Sequence, residues 1–192
     1  MEDIYLLKLK RGPTHLPKPE RLGTGAVTTG RENIVNFWKN ATEKTREDVF
    51  QERTRDYNIE VVGFLIASLD GVTIFATTQT QNNDAYANPW VIANKNIASR
   101  TKLKPRKTTA NKGRVVVVNW NDATHNFRES TTEVYKLKSG VVKSTTVGFL
   151  MDTNDSRIII ASRHNLEKDT YRDSWGIPQG MIKSLKYLTL VK

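Results

Sequence analysis

One stretch of the chain repeats at a constant offset of 85 residues, and this repeat narrows the possible folds more than any other feature. Val62-Gly63-Phe64-Leu65 recurs as Val147-Gly148-Phe149-Leu150, and residues 62–103 align with residues 147–188 without a gap at 14 identical positions. The identical pairs include Asp70/Asp155, Ile74/Ile159, Ala76/Ala161, Asp84/Asp169, Tyr86/Tyr171, Trp90/Trp175, Ile92/Ile177, Ile97/Ile182 and Leu103/Leu188. Such a repeat indicates two copies of one structural unit.

A shorter match upstream sets the boundaries that we predict for the two units. Residues 38–42 match residues 120–124 at an offset of 82. We therefore predict a first module at 31–103 and a second at 114–192, joined by a basic linker at 104–113. Residues 1–30 form a partly flexible N-terminal arm in this scheme, with apolar residues at 4–9 that are capable of adding a strand.

Each module is predicted to be mainly β, with one short helix. Gly63 and Gly148 fall inside predicted strands, where glycine permits a sharp bend or a close backbone approach. Five short strands and one helix in about 75 residues favour a small, strongly bent barrel. The predicted segments are strands at 35–38 and 115–120, helices at 43–56 and 129–138, hairpins of 60–66 with 72–77 and of 142–151 with 157–162, and last strands through Ile97 and Ile182.

Three elements of the modules resemble a known family. These are the Trp-x-x-Ala-Thr element, the Val-Gly-Phe-Leu strand and the ending Ile177-Pro178-Gln179-Gly180-Met181-Ile182. Together they are similar to small phage-encoded proteins with an Sm-like, SH3-type barrel, and the ending resembles that of Sm-like RNA-binding proteins. The resemblance implies two tandem Sm-like barrels and RNA binding. The first module departs from the ending, because Lys95 stands where the second has Gly180.

Positive charge is concentrated in one segment. The chain has 30 Lys and Arg against 20 Asp and Glu, a net charge of +10, and residues 100–114 carry seven of the basic residues and no acid. Because this segment also contains Pro105 and Gly113, we predict a solvated linker there. Two interpretations of this segment stay open. It is either a soluble spacer or a tether whose cations follow nucleic-acid phosphates.

Several classes of protein are excluded or disfavoured. Cys is absent, so disulfides, thiolate metal sites and cysteine nucleophiles are excluded. No apolar run approaches the ~18 residues of a spanning helix, and charged residues near the start argue against a signal peptide, so we expect a cytoplasmic protein. His15, His125 and His164 lack metal-ligand spacing, and no nucleotide-binding or nucleophile motif occurs. We expect no enzymatic activity, cofactor or metal.

Basic and aromatic residues together predict a nucleic-acid surface. Aromatic rings stack on unpaired bases while Lys and Arg hold phosphates. The second module offers one such cluster in the loop between two strands, and the basic segment adds further cations. The candidate residues are Arg163, His164, Tyr171, Arg172 and Gly180 in the second module, with Arg100, Lys102, Lys104, Arg106 and Lys107 in the basic segment.

The predicted function is therefore binding of RNA or single-stranded nucleic acid by a phage-type, non-enzymatic protein. One alternative is a host-takeover protein that inhibits or recruits a bacterial protein. Another alternative is an oligomer that sequesters a small nucleotide. A structural component of a virion is a further alternative. Since Sm-like barrels assemble through their edge strands, a homo-oligomer or pseudo-symmetric ring is also an expectation.

Overall fold

A computed structural model describes residues 3–10, 14–15, 29–50, 58–80, 85–87, 89–106, 115–123 and 141–191, and in these residues the chain is mainly β. The strands are β1 Ile4–Leu9, β2 Thr14–His15, β3 Thr29–Gly30, β4 Ile59–Leu69, β5 Val72–Ala76, β6 Thr78–Thr80, β7 Ala85–Ala87, β8 Trp90–Ala93, β9 Ile97–Arg106, β10 Val115–Ala123, β11 Val141–Thr153, β12 Arg157–Asn165, β13 Thr170–Pro178 and β14 Ile182–Leu190. The helices are α1 Arg31–Lys39 and α2 Glu43–Phe50, with single 3₁₀ turns at Asn94–Asn96 and Gln179–Met181.

Seven strands close into an antiparallel barrel. The order around the barrel is β4, β1, β9, β14, β10, β11, β12 and back to β4. Three of these strands precede residue 107 and four follow residue 114, so both sequence repeats contribute to one closed sheet. Closure pairs both edges of every strand in the ring, which removes exposed edges there.

The sequence repeat is also a repeat of strand pairing. Residues that lie opposite one another in the first copy have counterparts, 85 positions later, that lie opposite one another in the second. The bulge after Leu65 in β4 recurs after Leu150 in β11. Matching pairs are Phe64·Ala76 with Phe149·Ala161, Phe75·Trp90 with Ile160·Trp175, and Val72·Ala93 with Arg157·Pro178.

The first strand of the first copy is a different one from that predicted, whereas the strand predicted at 115–120 is confirmed as part of β10. Lys8 of β1 lies opposite Ser99, and Asn119 of β10 lies opposite Ser184, with a bulge after each. Strand β1 is therefore the counterpart of β10, at an offset of 111 from residue 8 to residue 119. The predicted match of residues 38–42 with 120–124 is wrong in structural terms.

The reason is that residues 35–38 are helical. They belong to α1, which buries Ile34 and Trp38, four residues apart on one side of the helix. Burial of that side against the core outweighs the β preference of Val35 and Phe37. The predicted helix at 43–56 is confirmed for Glu43–Phe50, while the helix predicted at 129–138 lies outside the described residues. Neither described helix has the length and apolar character needed to cross a membrane.

Among the residues that the structure describes, three hydrophobic clusters stabilise the fold. The central core fills the barrel with side chains from both copies, and α1 and α2 pack against it. Each copy also has a lateral core of its own, the first within residues 5–97 and the second within residues 116–187. The central core includes Ile4, Phe64, Leu103, Val117, Phe149 and Leu188; the first lateral core includes Leu7, Phe75 and Trp90; the second includes Val118, Ile160 and Ile177.

The first part of the basic segment is a strand, and the prediction of a solvated linker is wrong for it. Residues 97–103 of β9 pair with β1, and residues 103–106 pair with β14. Backbone hydrogen bonds and the burial of Leu103 hold the segment extended. The apolar residues at 4–9 likewise form the strand β1. Residues 107–114 lie outside the described residues, as does most of 1–30.

Gly63 and Gly148, at equivalent places in β4 and β11, allow a close approach of neighbouring strands. A Cβ atom built on Gly63 would lie 2.4 Å from Cδ2 of Phe75 and 2.8 Å from the carbonyl oxygen of Ala76. One built on Gly148 would lie 2.9 Å from the carbonyl oxygen of Ala161. The expectation of a close backbone approach at both glycines is confirmed.

Gly63→Ala should therefore lower the free energy of unfolding by about 1–3 kcal/mol, because the added methyl group overpacks the β4–β5 contact. Urea denaturation followed by tryptophan fluorescence measures the change. Gly180→Ala is the matched control, since a Cβ there meets nothing within 4 Å. Equal stability of the two variants would contradict the packing described here.

Candidate nucleic-acid interface

Four cations lie on one face of strand β9. Successive side chains of a strand point to opposite faces, so residues two apart share a face. The four residues are Arg100, Lys102, Lys104 and Arg106, and all four are exposed. Leu103 points the opposite way, into the central core. We call these four side chains the basic face of β9; it lies on the outside of the barrel.

Arg100 is held in place by a buried threonine. Its Nη2 atom donates a hydrogen bond to Oγ1 of Thr73 at 2.5 Å, and Thr73 in turn donates to Oδ1 of Asn94 at 2.8 Å. Thr73 is 0% exposed, so the acceptor that holds the guanidinium group is fixed by the fold. Arg100 is thus an exposed cation with an ordered position.

Lys102 is paired with a carboxylate at the start of the chain. Its Nζ lies 2.6 Å from Oδ1 of Asp3, and the hydroxyl of Tyr5 donates to Oδ2 of Asp3 at 3.4 Å. The hydrogen bond from Lys102 lowers the pKa of Asp3, and the same bond raises the pKa of Lys102. Both groups are exposed, so an incoming phosphate is able to compete with Asp3 for the ammonium group.

Two tyrosines flank the basic face. Tyr5 of β1 lies opposite Lys102, and Tyr187 of β14 lies opposite Arg106. Residues directly opposite in an antiparallel pair share a face. From strand spacings, the two tyrosines are about 16 Å apart, diagonally across β9. Among the described residues, neither Lys104 nor Arg106 has an ion-pair partner.

Sequence reasoning missed Tyr5, Tyr187 and Thr73, although one signal was available. Basic residues at 100, 102, 104 and 106 alternate with other residues, which is the two-residue period of a strand. That period would have argued for a strand with one basic face rather than a linker. The pairing partners come from distant parts of the chain, so the tyrosines carried no local signal.

Arg163, predicted in the second module, is already engaged within the protein. Its Nε donates to Oδ2 of Asp173, and its Cζ lies 5.3 Å from the ring centroid of Trp90, which belongs to the first copy. The side chain is 19% exposed. An ion pair and a cation–π contact therefore offset its charge, and the contact with Trp90 also helps to join the two copies.

His164 and Tyr171 lie close together, opposite one another in β12 and β13 rather than in the predicted loop between two strands, and they contact each other. Their rings are stacked at 4.2 Å with an interplanar angle of 4°, and Phe149 packs against both. Nε2 of His164 also lies 2.9 Å from Oδ1 of Asp169. Burial raises the pKa of Tyr171, with smaller contributions from the charges of Asp169 and Glu60. This stack covers one face of each ring.

The remaining predicted residues are scattered. Arg172 is exposed on β13, opposite Arg163. Gly180 lies beyond the other end of β13, about 25 Å from Arg172 by the rise of an extended strand, so the structure does not bring these two together. Lys107 lies outside the described residues.

Within the described ranges, no group of three or more His, Asp or Glu side chains is placed to hold a metal ion. Comparisons with protein-family models, curated protein sequences and solved structures find no significant match to this chain. The geometry of the basic face and its neighbours is therefore the basis for a functional assignment.

Arg163→Ala should lower the free energy of unfolding by about 1.5–3 kcal/mol, the usual value of a hydrogen bond to a charged group. Arg172→Ala, directly across the hairpin, should change it by less than about 0.5 kcal/mol because that side chain is exposed. Thermal or urea denaturation of both variants tests this. If Arg163→Ala weakens nucleic-acid binding without lowering stability, the structural role given to Arg163 is wrong.

Proposed function

We propose that the protein is a non-enzymatic binding protein for RNA or single-stranded nucleic acid and that the basic face of β9 contacts the phosphates. The observation that carries the proposal is the alignment of four exposed cations on one strand. A row of this kind follows a polyanionic backbone, and each phosphate contact releases counterions. In the described residues, Lys104 and Arg106 have no carboxylate to displace.

The flanking tyrosines favour a single strand over a duplex. Unpaired bases stack on aromatic side chains, and this stacking tolerates any sequence because every base has a π-face. Tyr5 and Tyr187 stand on opposite sides of the row of cations, so a strand that follows the row passes an aromatic ring near each end. In a duplex the faces of the bases are already stacked on one another.

We also infer that each repeat is an Sm-like module of a phage-type, cytoplasmic protein. The repeated strand registers and the separate lateral cores support this reading of the fold. In this view the two modules form an internal pair, with β9 against β14. The proposed site lies beside that junction, on part of the basic segment, whereas the sequence had pointed to the second module together with that segment.

The direct test is to replace two cations that have no carboxylate partner in the described residues. The double variant Lys104→Gln, Arg106→Gln should bind a labelled single-stranded RNA more weakly in fluorescence anisotropy. Because each lost contact in single strands changes the slope of log K against log salt by about 0.7, the slope should fall in magnitude by about 1.4.

The matched control removes the same charge elsewhere. Lys168→Gln, Lys186→Gln has the same net charge, but Lys186 lies on the opposite face of β14 and Lys168 lies in the β12–β13 turn. The control should keep the wild-type salt slope. Equal losses of affinity and salt slope in both double variants would show that binding depends only on net charge, and would contradict a site on β9.

A further inference from the structure

We propose that Arg100, beside a shallow depression, contacts one unstacked base of the bound strand and selects guanine. This inference rests on the proposed function, because it places the base within the same strand whose phosphates meet Lys104 and Arg106. It adds a sequence preference to a surface that would otherwise bind any sequence.

The first observation is the depression itself. It is a shallow hollow, open to solvent and directly next to the basic face, with room inside for about one water molecule. Leu7, Thr73 and Phe75, all nearly or fully buried, form its floor, while Tyr5 and Arg100 stand at its rim. A planar heterocycle would lie over this hollow rather than inside it, with the apolar residues beneath it and the ring of Tyr5 and the N–H donors of Arg100 beside it.

The second observation is the fixed position of Arg100. An exposed arginine ordinarily samples many rotamers, and ordering it on binding costs free energy. Here the hydrogen bond to the buried Thr73 already orders the Arg100 side chain in the free protein, so less conformational entropy is lost on binding. The guanidinium group has five N–H donors, so most of them stay available to a ligand.

The third observation is the contrast with the second copy, where the same strands form only a packed core. The counterparts of Thr73 and Arg100, 85 positions later, are Ile158 and Leu185, and both belong to the second lateral core. The counterpart of Tyr5 is Val116, which is fully buried. Packing of this module therefore needs no polar group at these positions, which leaves the hydroxyl and the guanidinium group of the first copy for another task.

The chemistry of the guanidinium group points to guanine. Two parallel N–H groups of arginine match two acceptors on one edge of a base, and O6 and N7 of guanine are the commonest such pair. Adenine presents an acceptor and a donor on the same edge, so it cannot satisfy both N–H groups. An unpaired base exposes this edge without obstruction.

The test compares four short RNAs that differ at one central position in a uridine background: guanine, 7-deazaguanine, adenine and an abasic site. The wild-type protein should bind the guanine RNA at least about fivefold more tightly than the other three, as expected for a bidentate contact. The 7-deazaguanine RNA is the sharpest comparison, because it lacks only the N7 acceptor.

Two variants separate base selection from charge. Arg100→Lys keeps the positive charge and loses the paired N–H donors, so its affinities for the four RNAs should lie within about twofold of one another. Thr73→Val keeps the shape and loses the hydroxyl that positions Arg100, so it should weaken binding of guanine RNA more than binding of adenine RNA. Circular dichroism confirms that both variants fold.

The outcomes distinguish the two proposals. Equal binding of all four RNAs by the wild-type protein, with a reduced salt slope in the Lys104, Arg106 double variant, overturns guanine selection and leaves the basic face intact. A guanine preference that persists in Arg100→Lys also overturns it. Absence of binding to any of the four RNAs at low salt overturns both proposals.

Discussion

The pairing of β9 with β14 joins the two copies, and the rest of the molecule depends on it. Leu103 lies opposite Leu190 and Pro105 opposite Leu188, and the backbone N–H of Val191 donates to the carbonyl oxygen of Lys102 at 2.9 Å. An offset of 85 residues converts the first of these pairs into the second, so the junction is two-fold symmetric within one chain. It closes one side of the barrel, and it keeps residues 102–106 extended, with their cations outward.

The other junction follows the same symmetry. Arg163 of β12 lies opposite Val61 of β4, and their counterparts Thr78 and Thr146 lie opposite one another in β6 and β11. The same place in the two copies is nevertheless chemically different. One side has the ion pair of Arg163 with Asp173, and the other has a 3.1 Å hydrogen bond between the hydroxyl groups of Thr78 and Thr146. Equivalent backbone positions in the two copies thus carry side chains of different chemistry. The basic face of β9 is another example of such a difference between the copies.

The sequence predicted well what depends on local order and on the repeat. The hairpins, the bulge-forming strands around Gly63 and Gly148, and the start of α2 follow from patterns of neighbouring residues. Prediction from the sequence failed where contacts with residues distant in the chain determine the secondary structure. Pro105 lacks a backbone donor and argued for a linker, yet it lies one residue from the end of β9, where pairing with β14 tolerates it. Trp38 matched Trp120 in sequence, but burial placed it in a helix.

Only part of the candidate site was predicted, again because contacts between distant residues have no local signal in the sequence. Charge alone located Arg100 to Arg106, but only the fold places Tyr5 and Tyr187 beside them, because both come from remote strands. Conversely, Arg163, His164 and Tyr171 form a cluster as expected, and their contacts with Asp173, Trp90 and each other are internal. Whether they also meet nucleic acid stays a prediction.

The most direct measurement is a titration of isotope-labelled protein with a single-stranded RNA, followed by backbone amide NMR shifts. We expect the largest shifts in β9, from Arg100 to Arg106, and at Tyr5 and Tyr187 on either side. Shifts confined to the β12–β13 hairpin around Arg172, or no shifts at low salt, would contradict a binding site on β9.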